Sequence, residues 1–574
     1  MVASLTRAVG VAATAAMALS ACGGNSDEIA VADAPESDAQ AARFLTQASF
    51  GPTDASIAEV KRLGYSRWID QQFAAPQTAH KDFIDLRMTE LAAQTPAGKL
   101  APTDFFQTWW KQAAAGNDQL RQRVAFALSQ IAVISFQDDK IYSNVRGGAA
   151  YYDMLGRNAF GNYRQFLEDV ALHPMMGLYL SHRGNQKEDA ATGRVPDENF
   201  AREIMQLFSV GLYQLNLDGS VKTSGGKPVE TYTHDDIAGL AKVFTGFSWY
   251  AGTTAADRTD TRFYGGNAAT DRDVLPMQSY AKFHSISAKT FLGLTIPASA
   301  TADPDGDLKK ALDQIFNHAN VGPFVATRLI KQLVTSNPTP DYVARVAAKF
   351  NDNGSGVRGD MRAVVKAILL DAEARDITKV GDPYFGKLRE PVIRLANWMR
   401  AFGATSQTGR YRISYLNDPG SQLSQTPMVS PTVFNFWRPG YVPPNSAVAT
   451  AGLCAPEMQI VNEVSVAGYH NSIRSVIASG IGAVPDGGSG ADVQTTYAAE
   501  LALADKPDAL VDRVNLLLMY GQMTSTMRTK VRDAVASVAI PATGTQAQID
   551  AAKKNRVCLA VFLTMASVEY LVQK

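Results

Sequence analysis

Cysteine is scarce in this sequence, with three residues in 574, at Cys22, Cys454 and Cys558. So few exclude a disulfide-built scaffold, and no pair of Cys-x-x-Cys motifs is present to make a structural zinc site. An excess of either charge is also missing. Lys plus Arg and Asp plus Glu both number 55, so no whole-chain field draws the protein to nucleic acid, and no nucleic-acid partner is expected. The chain has no His-Glu-x-x-His helix, no Gly-x-Ser-x-Gly elbow and no phosphate loop ending in Gly-Lys-Ser/Thr, which removes three common routes to hydrolytic or nucleotide chemistry. No fixed-period repeat is present, and strand signals are few.

What is there begins at the N-terminus. Arg7 supplies one positive charge ahead of the apolar run Ala8 to Leu19. That run is about a dozen residues long, short of the roughly 20 a membrane-spanning helix needs, so residues 1–21 read as a signal peptide. Its ending, Leu19-Ser20-Ala21-Cys22-Gly23, resembles the lipobox of bacterial lipoproteins, which implies lipidation of Cys22 and a membrane tether through that lipid. Gly23 in place of Asp favours the outer membrane over the inner by the same resemblance. The following segment, 22–39, carries Asp27, Glu28, Asp33, Glu36 and Asp38 without Lys or Arg and reads as an acidic linker. With Cys22 lipidated, Cys454 and Cys558 remain. A disulfide between them and two free thiols are both open, since the compartment permits a bridge while Cys558 sits in an apolar run.

From residue 40 to 574 helical periodicity dominates, so a mainly α, compact multi-helix domain is expected as one unit. Asp54, Asp118 and Asp360 sit where helices would start, and Pro323 opens another. Further helical patterns cover 388–402, 456–473, 508–519, 524–539 and 555–572. The best strand signal is Tyr213 to Thr233, where alternation flanks Asp218-Gly219 and Gly225-Gly226, predicting one or two small β-hairpins near 213–233. The stretch 250–300 reads as a long loop and 486–492 as a flexible Gly-rich segment.

Chemistry is most legible in Pro196 to Gly211. Phe200, Ile204, Leu207 and Phe208 share one helical face and point to a core, while Glu198 and Arg202 form an i,i+4 pair. Glu203 borders the apolar face, where partial burial would raise its pKa toward acid/base work. Thr233 caps a second helix, which makes His234, Asp235 and Asp236 capping and solvated groups rather than metal ligands, and no metal is assigned. Gly354-Ser-Gly-Val-Arg-Gly359 spells the dinucleotide fingerprint but follows a helix, so it reads as a helix-to-helix turn. The overlapping Asn351 to Gly356 imitates a calcium loop whose twelfth position is Arg362, not Glu. Clustered aromatics, Phe105-Phe106 with Trp109-Trp110, Tyr151-Tyr152 and Phe434-Asn-Phe-Trp437, are expected in the core before the surface.

Several segments in order, Phe44 to Pro52, Glu198-Asn-Phe-Ala-Arg-Glu203, Tyr232-Thr with Asp236, Thr245-Gly-Phe247, His284 with Lys289 to Gly293, Lys387-Leu-Arg-Glu-Pro391 and Pro431 to Phe436, together resemble a large bacterial family catalogued as domain of unknown function 1800. The resemblance spans residue 40 to the C-terminus. It implies an exported protein, encoded beside a second exported family that looks sulfatase-related and stands as a candidate partner. Its recurrent polar positions fall on Glu198, Asn199, Arg202, Glu203, Asp236, His284, Lys289 and Glu390. Two positions depart from the family pattern: Phe208 stands where many members have His, and Ser285 where many have Asp. These losses favour a carboxylate-centred site or a structural role.

The expectation is therefore an extracytoplasmic lipoprotein that acts as a carboxylate-dependent hydrolase on a glycan or other polymer, with Glu198, Arg202, Glu203, His284 and Glu390 as its catalytic set. The alternative is a non-catalytic envelope binding or assembly lipoprotein in which the same charges lock helices together. A cavity joining Glu198, Glu203 and His284 separates the two readings. No cofactor is specified by the sequence.

Overall fold

The computed structural model describes residues 33–484 and 488–574. The expected signal peptide, Cys22 and most of the expected acidic linker lie outside the described residues, as do 485–487 of the Gly-rich segment. The described chain is 52% helical, with 26 helices and only small two-stranded sheets, so the mainly α reading holds.

The helical body starts earlier than residue 40. Ser37 accepts a hydrogen bond from Gln40 N and caps the helix Asp38–Ala48, of which every residue from Ala41 to Ala48 is buried. Asp33, from the acidic segment, accepts from the backbone N–H of Ser66 at 2.6 Å. The end of the expected linker is thus docked on the body. Arg43 in this first helix is almost fully buried and reaches the carbonyls of Ala374 (2.8 Å) and Lys574 (3.1 Å). One side chain joins the first helix to the last residue.

Caps fall close to where the residue types place them, because a Ser, Thr, Asp or Asn oxygen can satisfy an orphan N–H of the first turn. Thr233 and Asp236 form a reciprocal capping box on His234–Val243, and Asp360 accepts from Arg362 and Ala363 N–H to start Met361–Leu370. Ahead of Asp54–Leu63 the cap is Thr53, with Asp54 in the first turn beside the positive helix end. The pattern over 456–473 divides into a short 3-10 helix, Pro456–Ile460, and a longer helix, Glu463–Ser479, because Asn462 opens a fresh capping box. That over 555–572 becomes Gln546–Met565 and Val568–Leu571, separated where Ser567 caps again.

Two of the three aromatic clusters are core, while in the third Phe434 and Phe436 are half-buried and Trp437 is buried. Phe105, Phe106, Trp109, Trp110, Tyr151 and Tyr152 are all buried within one apolar cluster that runs from Ala41 to Tyr570. Trp109 donates its indole N–H to the Tyr152 hydroxyl at 2.9 Å and Tyr151 donates to the Ala132 carbonyl at 2.8 Å, while the buried Trp110 N–H has no partner among the described residues. The hairpin signal is matched by the bridges Tyr213 to Glu230 and Leu215 to Val221 and the pair Thr223–Ser224 with Lys227–Pro228. The stretch 250–300 is more ordered than a long loop. Lys289–Phe291 and Leu294–Ile296 form a hairpin, and Ala251, Phe263, Tyr280 and Phe283 make a small core of their own, with Phe263 stacked on Phe283 at 3.7 Å. That hairpin packs hard on His234–Val243, where a Cβ on Gly239 would lie 1.9 Å from the Thr290 carbonyl oxygen. In the segment that imitates a calcium loop, Asp352 accepts from the N–H groups of Gly354 and Gly356 and closes a turn between helices.

The C-terminus completes the architecture. Val572–Gln573 pairs antiparallel with Lys387–Leu388, with Gln573 opposite Lys387. This two-residue ladder fixes the segment that precedes Glu390. No helix among the described residues is long and apolar enough to cross a membrane.

Candidate functional site

The five residues expected to act together occupy three separate surroundings that share no hydrogen-bond partner. Glu198 lies at the start of Asn199–Gln206 and pairs with Arg202 at 3.2 Å and His234 Nδ1 at 3.8 Å, on the surface side of that helix. Glu203, one turn on, is 7% exposed, and its Oε2 has no hydrogen-bond partner. Burial pushes the Glu203 carboxyl above its ordinary value while the charge of Arg202 pulls the other way. The neighbouring Tyr232 phenol is pushed up to about 12, by burial first and then by Glu203.

His284 is fully buried beside the Thr245-Gly246-Phe247 segment. Its Nδ1 lies 2.7 Å from the Thr245 carbonyl, which can only accept, so Nδ1 carries a proton. Nε2 faces Asp307 at 3.2 Å, and Lys289 Nζ meets the same carboxylate oxygen at 2.9 Å. Burial pushes the Asp307 carboxyl up, but the hydrogen bonds and charges of Lys289 and His284 outweigh it and hold it below its ordinary value. Gly246 has φ +78°, and a Cβ there would meet the His284 backbone N at 2.9 Å. The motif therefore reads as a clamp on His284. Ser285, at the position where many family members have Asp, donates to Glu188 at 2.9 Å, and Phe208 lies in the core.

Glu390 is the centre of a different cluster. It precedes the helix Pro391–Ala401 and is 1% exposed. Its Oε2 accepts from Gln130 Nε2 at 2.8 Å and Gln425 Nε2 at 2.9 Å, and Asn435 Nδ2 in turn donates to Gln130 at 2.9 Å. Lys387 Nζ lies 3.6 Å from Glu390 and 3.1 Å from Glu457, and donates to the Gln332 carbonyl at 3.0 Å. Arg123, also buried, donates to that same carbonyl at 2.7 Å. Glu457 is buried too, its Oε2 lacks a partner, and its carboxyl is pushed up by burial first, against the pull of Lys387 and with a further push from Glu390.

This cluster lies against the two large clefts. One, of about 490 Å³, is lined by Lys387, Leu388, Cys454, Met458, Met519 and Val572 among others. The second, of about 360 Å³, is lined by Arg394, Glu457, Ile460, Val466, Tyr469 and Ala566 among others. Leu388, Met458, Val568 and Val572 belong to both walls, so the clefts adjoin. Glu198, Arg202, Glu203, His284 and Glu390 line neither cleft. Lys387, Arg394 and Glu457 were missed in the sequence. The signal for Lys387 was present, since it stands three residues before Glu390 in the same family-like segment, Lys387-Leu-Arg-Glu-Pro391. Nothing local connects Glu457 or Gln130 to it.

Of the two states open to the remaining cysteines, the structure has free thiols. Cys454 Sγ lies 3.1 Å from Lys331 Nζ and 3.2 Å from the Ser336 carbonyl, and Cys558 Sγ faces the Ile477 carbonyl. Among the described residues, no three His, Cys, Asp or Glu side chains are grouped to hold a metal ion.

Comparison with curated proteins and with solved structures gives no match. A family model described as "Protein of unknown function (DUF1800)" matches residues 43–572, nearly the whole chain. With the ordered segments and their geometry now placed, the chain belongs to the DUF1800 family.

Proposed function

We propose that this is an exported lipoprotein, held to the cell envelope by lipid on Cys22, whose body binds an apolar ligand in the two adjoining clefts. The observation that carries the reading is the shared wall of Leu388, Met458, Val568 and Val572, an apolar lining of ligand size set beside the buried Lys387, Glu390 and Glu457 cluster. Small-molecule sites have this character, mostly apolar with a few polar groups that orient the ligand. Of the carboxylates expected to work together as acid and base, Glu198 and Glu390 are engaged in separate local networks and Glu203 lines neither cleft, which supports binding over hydrolysis. Outer-membrane placement, and a sulfatase-related exported protein as partner, belong to the same proposal and rest on the resemblance in the sequence.

The hydrolase reading, on a glycan or other polymer, keeps one observation of its own. Glu457 lines the smaller cleft with an unpartnered oxygen and a carboxyl pushed toward its neutral form, which is what a proton donor needs.

The test is a titration with the uncharged fluorescent probe N-phenylnaphthylamine. Val466 and Val568 are exposed at the rim of the smaller cleft, so Val466→Asp with Val568→Asp makes the rim polar without touching the core. Saturable binding that weakens tenfold or more in this variant is expected. Absence of saturable binding to the unmodified protein would refute the reading.

A further inference from the structure

The smaller cleft has an apolar wall and one charged group with no counter-ion among the described residues. Arg394, in the helix Pro391–Ala401, is 5% exposed. Its Nε donates to the Arg389 carbonyl at 2.8 Å, and its guanidinium lies over the Tyr469 ring, 4.7 Å from the centroid. Among the described residues no carboxylate comes within ion-pair distance of it. A guanidinium keeps its charge in any protein, and a buried charge without a partner is strongly unfavourable. The surrounding groups do not relieve it. Arg389 is buried beside it, donates to the Leu518 carbonyl and Asn397, and has no carboxylate partner among the described residues either. Counting Arg123, Lys387, Arg389 and Arg394 against Glu390 and Glu457, the buried layer beside the cleft holds four cations and two carboxylates. Lys387 takes up both carboxylates, which leaves the arginine side of the cleft positive.

We propose that the smaller cleft binds a single-chain amphiphile with an anionic head, its acyl chain along Leu388, Met458, Val568 and Val572 and its head paired with Arg394. This rests on the reading of the clefts as a binding site and adds the chemical class of the ligand. The pairing is one that a carboxylate or a phosphate can make in bidentate form, and it supplies the missing counter-ion. Glu457, on the same wall, does not oppose it, because Lys387 takes up its charge at 3.1 Å. Tyr469, which lines the same cleft, packs its ring on the guanidinium, and its hydroxyl donates to the Met565 carbonyl at 3.0 Å.

The experiment is isothermal titration of the purified full chain with decanoate, decanol and decylamine, repeated on Arg394→Gln and Arg394→Lys. Decanoate is expected to bind at least tenfold more tightly than decanol or decylamine. Arg394→Gln should remove that advantage while leaving decanol binding unchanged, which also reports that the variant is folded, and Arg394→Lys should retain part of it. A lysolipid with a phosphate head in place of decanoate distinguishes the sources: tighter binding of the lysolipid assigns a membrane lipid, and tighter binding of decanoate a free fatty acid. Equal binding of decanoate and decanol would overturn the anionic head and leave the cleft reading standing. Absence of binding by all of them would overturn both.

Discussion

Glu203 and Asp307 are both buried carboxylates, yet their surroundings give opposite pH behaviour. Glu203 has an unpartnered oxygen and a raised pKa. Above its ordinary value of 4.5 the folded state holds a proton that the unfolded chain has released, so its contribution to stability falls as pH rises toward its raised value. Glu203→Gln should therefore melt higher than the parent at pH 7 and no higher near pH 4, read by calorimetry at both. Asp307 has a lowered pKa, so its contribution is present above 3.8 and is lost as acid protonates it. Asp307→Asn leaves Lys289 buried without its partner and should cost on the order of 3 to 5 kcal/mol in denaturant unfolding at pH 7. The sequence placed Glu203 beside an apolar face and did not single out Asp307. It did not show that Glu203 lacks a partner or that Asp307, from a helix beyond the hairpin, supplies one for His284 and Lys289.

Helix starts and hairpins were legible because their signals are local: Thr233 with Asp236, Asp360 before Met361 and the two Gly turns near 213–233 each act within a few residues. The cluster around Glu390 was not, because its partners come from afar in the chain. Gln130 is 260 residues away and Gln425 is 35 away, and no periodicity encodes such a pairing. The two-residue strand Val572–Gln573 escaped notice for the same reason, since a strand that short has no alternation to read. Its role in the clefts is testable by ending the chain at Leu571. That removes the bonds from Gln573 Nε2 to the Leu333 carbonyl, from Lys574 N to the Tyr520 hydroxyl and from Arg43 to the Lys574 carbonyl. At about 1 kcal/mol for each hydrogen bond, the truncated protein should lose roughly 3 kcal/mol or more of stability in urea unfolding. It should also bind the uncharged probe more weakly, since Val572 lines both clefts.

As one molecule, the protein is a charge-balanced helical body with a continuous core from Ala41 to Tyr570 and no described helix able to span a bilayer. The attachment to the envelope proposed above is through lipid on Cys22. Cys22→Ala should move the protein from the membrane pellet to the soluble fraction on ultracentrifugation of a cell lysate, with the melting temperature of the body unchanged. Apolar ligand binding at the joined clefts is the central claim, and photolabelling tests it most directly. An alkyl diazirine is irradiated with the folded protein, and the modified residues are mapped by mass spectrometry. Labels concentrated on the peptides carrying Leu388, Met458, Val568 and Val572, and displaced by excess unlabelled amphiphile, are the predicted result. Labels spread over the surface without displacement, or concentrated at a part of the body away from this shared wall, would contradict the account.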